Sequence, residues 1–136
     1  MIESHPWNER LDLAHEAMDH EHHLQIALVS GFVDAVEQSR PWLARRLAAQ
    51  LARYSDAHFT SEELLMEASA YPDLGRHADE HAELLRRIRE LEGIAGEETA
   101  LATALDLRAA LAAHVNGADR KLAARSGGWA PAADAG

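Results

Sequence analysis

Between residues 17 and 38, the apolar side chains of Met18, Ile26, Val29, Phe32, Val33 and Val36 mostly return at intervals of three and four, with polar residues between them. That is the stripe by which an α-helix covers a core. Ser39-Arg40-Pro41 ends this first helix and opens the next. Proline disfavours α-geometry in the residue before it yet fits the first helical turn. A second helix is predicted over residues 41–68, stopped by Tyr71-Pro72. Asp73 stands as N-cap of a third helix over residues 74–91, with Gly93 where a C-terminal glycine is expected. A connection through Gly96 leads to a fourth helix over residues 97–125, closed by Ser126-Gly127-Gly128.

Residues 1–16 carry His5-Pro6-Trp7 and no sustained helical period, and are read as an N-terminal arm lying across the rest. The organisation expected is an arm over 1–16, a bundle over 17–126 and a flexible tail over 127–136. Helices of this length, about 27 to 42 Å at about 1.5 Å per residue, with short connections, pack as antiparallel neighbours. The fold class is therefore all-α, an up-down-up-down four-helix bundle. A chain of 136 residues supports one such core and not two.

Composition sharpens this picture. Hydrophobic residues make up 47% of the chain but aromatics only 5%, so Ala and Leu, both good helix formers, dominate the apolar content. No signal-peptide order occurs in the first thirty residues and no apolar run of about 18 occurs anywhere, so a cytoplasmic location without membrane attachment is expected. A net charge of −10 disfavours nucleic acid and anionic membranes as partners. Arg86, Arg87 and Arg89 interleave with Glu83, Glu90 and Glu92, which describes a solvated face with local ion pairs.

The absence of cysteine removes disulfides, thiolate zinc sites and iron–sulfur clusters. Any metal must be held by histidine and carboxylate. Nine histidines are available. His58 and Glu62 stand four apart on the second helix and His77 and His81 four apart on the third, so each pair shares a face. The fourth helix offers His114 and Asp119, and the first offers the group Asp19-His20-Glu21-His22-His23. Each pair alone is a weak signal, but four antiparallel helices bring these positions to one end of a bundle. His114 and Asp119 are five apart, about 140° around a regular helix. The poor helix-forming pair Asn116-Gly117 between them predicts a local i→i+5 bulge.

One histidine, then His-x-x-x-Glu, His-x-x-x-His and His-x-x-x-x-Asp is a pattern that resembles the hemerythrin family. His22, His58, Glu62, His77, His81, His114 and Asp119 meet it in order and spacing over residues 7–122. Trp7, Asp19, Tyr54, Phe59, Glu63 and the Tyr71-Pro72 turn fall where relatives often have such residues. The resemblance implies two non-heme iron ions joined by an oxo or hydroxo bridge. One would be held by His77, His81 and His114 and the other by His22 and His58, with Glu62 and Asp119 bridging. Reversible binding of dioxygen would follow, at the iron with two histidines.

The donor set fits that implication. Imidazole suits iron, and a histidine-rich set carries less negative charge than the Glu-x-x-His sites of ferritin-like oxidases, a motif missing here. Leu111, one turn before His114, resembles the apolar residue lining the family's oxygen pocket. Ala110 stands where relatives often have Trp, which predicts wider access and faster autoxidation. Carriage, storage or sensing of dioxygen is the leading expectation; an enzyme acting on peroxide, nitric oxide or ferrous iron is the alternative. With no signalling domain attached, sensing would require a partner in trans. A monomer or weak homo-oligomer is expected, and no protein partner is legible. His5, His15, His20 and His23 read as surface or supporting histidines, Asp19 as a support for a ligand or a helix N-terminal acid, and Met18 and Met66 as core.

Overall fold

The computed structural model describes the backbone of residues 6–119 and the side chains of residues 22–117. Four helices follow one another: α1 (Pro6–Glu37), α2 (Pro41–Ala68), α3 (Leu74–Ile94) and α4 (Ala100–His114), with a π-helical turn, Val115–Asp119, continuing α4. Helix α1 packs on α2 and α4, and α3 packs on the same two, which closes a four-membered ring with short connections. This is the expected four-helix bundle, and no strand occurs among the described residues. No described helix is long and apolar enough to cross a membrane.

The connections are set by local chemistry. Pro41 occupies the first turn of α2, as its fixed φ favours. At the end of α1, Ser39 takes a left-handed φ of 57° while Arg40 N–H bonds to the Ala35 carbonyl at 2.8 Å. At the end of α2, Ala70 takes a φ of 53° and Tyr71 N–H bonds to the Met66 carbonyl at 2.9 Å. Both are six-to-one C-terminal caps built without the glycine such positions favour.

Three expectations are corrected. Helix α1 begins at Pro6, so most of the presumed arm is helical backbone, and Met1–His5 lie outside the described residues. Proline suits a first turn, and between it and Gly31 no proline or glycine interrupts a run rich in Glu, Leu and Ala. A missing core stripe therefore did not mean a missing helix. Gly93 lies inside α3, which runs on to Ile94 because Leu91 and Ala95 are buried and Ile94 packs against the same core. A mid-helix glycine costs only about 1 kcal/mol. Helix α4 starts at Ala100 rather than near 97. Its expected extension to 125 and the tail lie outside the described residues.

The core is the level below the histidines. Val29, Phe32, Leu51, Ile88, Leu91, Leu107 and Leu111 fill it, while Ala44, Ala48, Ala100 and Ala104 let the backbones approach. Burying each large side chain contributes about 1.5–3 kcal/mol. Met66 is fully buried in a smaller cluster with Tyr71. On the α3 surface Arg86 pairs with Glu83 at 2.6 Å and Glu90 at 2.8 Å, a solvated ladder as expected.

Candidate metal centre

Each helix delivers donors from its inward face. Buried side chains come from α1 (His22), α2 (His58 and Glu62), α3 (His77 and His81) and α4 (His114). The i, i+4 spacing in α2 and α3 points both members of each pair inward, one turn apart. Glu62 is the centre. Its Oε2 lies 3.1 Å from His58 Nε2 and 3.6 Å from His22 Nε2. Its Oε1 lies 3.0 Å from His81 Nε2 and 3.3 Å from His77 Nε2.

The carboxylate thus divides the histidines into two sets. Donor atoms of Glu62, His77, His81 and His114 lie within 4.8 Å of one another, as do those of His22, His58 and Glu62. Two ligands each about 2.1 Å from one ion and at right angles would lie about 3 Å apart. The observed spacings match that. Neither Glu62 oxygen nor His81 Nε2 has a properly directed hydrogen bond, although all three are buried. The donors converge on the space between them, and the residues fit metal ions.

Burial pushes the Glu62 carboxyl up, but His22, His58, His77 and His81 together hold it well below the usual carboxylate range. An anionic carboxylate at the focus of several imidazoles is what a cation site requires.

Two glutamates orient the set from behind. His81 Nδ1 lies 2.8 Å from Glu63 Oε2, and His114 Nδ1 lies 2.7 Å from Glu80 Oε1. Engaging Nδ1 fixes the tautomer that leaves Nε2 for the centre. Phe59 stacks on the His81 ring at 4.1 Å and 12°. Leu111 is 1% exposed, one turn below His114.

Six of the seven expected ligands are therefore gathered at one level. For Asp119 only the backbone is described: it ends the π-helical turn Val115–Asp119, so the regular helix that would turn it away from His114 is absent. Ala110 lines a surface cavity of about 530 Å³ beside His114, Glu80 and Leu84. His23 is exposed, as a surface histidine should be. His5 lies outside the described residues, and the side chains of Trp7, His15, Met18, Asp19 and His20 lie outside the described side chains. Sequence reasoning missed Glu80 as the partner of His114 and a buried pair, Gln25 and Ser55. Their only signal was a three-residue offset from His77, His22 and His58 respectively.

The family profile described as Hemerythrin HHE cation binding domain matches residues 10–125. The chain is 27% identical over 96 residues to a protein named myohemerythrin from Theromyzon tessulatum, covering 71% of this chain and 75% of that one. It is 32% identical over 119 residues to a protein named bacteriohemerythrin from Ralstonia nicotianae (strain ATCC BAA-1114 / GMI1000), covering 85% and 84%. No solved structure gives a significant match.

Proposed function

The chain belongs to the hemerythrin family, and on that footing we propose that it holds two non-heme iron ions and binds dioxygen reversibly. One observation carries the reading: the two oxygens of a single buried carboxylate, Glu62, face a set of three histidines and a set of two. His77, His81 and His114 would hold one iron, His22 and His58 the other. Glu62 and Asp119 would bridge them, Asp119 being the last residue of the π-helical turn. When bound, the iron pair supplies the two electrons and the open coordination position that dioxygen needs.

The remaining work falls to the protein. Glu63 and Glu80 hold His81 and His114 in one tautomer. Phe59 and Leu111 present apolar surface to the three-histidine set, which restrains water and protons on that side. An oxo or hydroxo bridge, a cytoplasmic location and a role in carriage, storage or sensing belong to this proposal.

Iron analysis combined with a visible spectrum tests it. The purified protein should hold two irons per chain. Exposing the reduced form to dioxygen should generate a charge-transfer band that disappears under vacuum and returns on re-exposure. Steady consumption of dioxygen without a reversible band would place the protein among diiron enzymes instead. A single iron per chain would refute the paired centre.

A further inference from the structure

One turn below the histidines, the bundle interior should be apolar on every helix. Helices α3 and α4 meet this, with Leu84 at position i+3 from His81 and Leu111 at i−3 from His114, both buried. Helices α1 and α2 do not. At i+3 from His22 stands Gln25, 2% exposed, and at i−3 from His58 stands Ser55, fully buried. Because α1 and α2 run antiparallel, the two offsets lead to the same level, about 4.5 Å along the axis from His22 and His58.

There the two polar side chains meet: Gln25 Nε2 donates to Ser55 Oγ at 2.9 Å. This bond uses one of the two amide hydrogens and none of the carbonyl oxygen's capacity. Burying a carboxamide costs free energy unless its groups are bonded, and a leucine would fill the same volume without that cost. Gln25 and Ser55 stand on α1 and α2, the helices that carry the two-histidine set, each three residues from its histidine. At that level the three-histidine set has the apolar neighbours Leu84 and Leu111, with the Phe59 ring stacked on His81.

We infer that Gln25, pinned by Ser55, donates a hydrogen bond to the small ligand held beside His22 and His58. It thereby selects ligands whose outer atom accepts one. Gln25 is the specificity-determining residue and Ser55 positions it. The inference rests on the diiron reading and deepens it: the interior next to the two-histidine set is polar at Gln25 and Ser55, where the other two helices place leucines.

The test uses the iron-loaded full-length chain and sodium azide as the probe. Azide dissociation constants are read from the visible spectrum, and the azide stretching frequency from infrared spectra. In Gln25→Leu, azide should bind about 10- to 100-fold more weakly, the range for a lost hydrogen bond to a charged acceptor, and the stretching frequency should shift. In Ser55→Ala, where the amide is no longer fixed, a severalfold loss is expected, with Ser55→Thr restoring affinity. Affinity within twofold of wild type and an unmoved frequency in Gln25→Leu would overturn the inference. So would loss of iron from Gln25→Leu, which would assign Gln25 to building the site instead. An effect of Gln25→Leu with none from Ser55→Ala would overturn the positioning role. Wild-type protein with two irons but no azide binding would end this inference and leave the iron reading standing; wild-type protein without iron would end both.

Discussion

The glutamates behind the three-histidine set separate metal binding from folding. Glu63 Oε2 lies 2.8 Å from His81 Nδ1, and Glu80 Oε1 lies 2.7 Å from His114 Nδ1. Their side chains are 37% and 44% exposed. Water screens pairs so exposed, so in the metal-free protein each is worth at most about 1 kcal/mol. In a loaded protein their effect would be larger, because they would set which imidazole nitrogen faces the ion. Removing such a partner typically costs about 10- to 100-fold in metal affinity. Glu63→Gln and Glu80→Gln keep an acceptor and lose the charge, so about tenfold is expected for each, and nearer 100-fold for the alanine variants. Anaerobic competition for ferrous iron against a chromophoric chelator measures the affinity. Thermal unfolding of the metal-free variants should show a drop of less than about 4 °C. The reasoning fails if iron affinity is unchanged, or if the metal-free melting temperature collapses while affinity per folded chain stays constant.

Three further outcomes are expected. Ala70→Gly relieves a left-handed alanine at the end of α2 and should raise stability by about 0.5–1 kcal/mol, read by denaturant titration; a loss would show that the cap is not strained. Ala110→Trp should fill part of the cavity beside His114 and slow autoxidation of the loaded protein severalfold, and an unchanged rate would dismiss the access route. Glu62 has a folded-state pKa below its ordinary value of 4.5, so near that pH the unfolded state binds more protons and stability rises with pH. The stabilising effect of the Glu62 charge in the metal-free protein is therefore complete above pH 4.5 and fades as pH falls below it. Urea titrations of wild type and Glu62→Gln across that range should converge at the acid end.

What was legible in the chain followed from short-range rules. Pro41 and Tyr71-Pro72 bracket α2, whose observed bounds agree with its pattern. The i, i+4 pairs of α2 and α3 declare their own common face, and the five-residue offset from His114 to Asp119 called for the π-helical turn that is present. Tertiary contact decided the rest. Gly93 was overridden by the burial of Leu91 and Ala95, and the start of α1 needed no apolar stripe. Glu63 with His81, Glu80 with His114 and Gln25 with Ser55 are pairs across helices, so spacing along one helix could put each residue on the inward side but could not name its partner.

Glu62 has a consequence outside ligand chemistry. Because it faces both histidine sets, the ions that occupy them would cross-link all four helices, joining positions as distant as 22 and 114. Each ion binds the folded chain and not the extended one, so an iron concentration about 100 times its dissociation constant would add about 2.7 kcal/mol per site to stability. That is a large share of what holds a small domain together. In a cell short of iron, the unloaded chain would be the one that opens and is degraded. The amount of this protein would then follow iron supply through its lifetime alone, with no change in its synthesis.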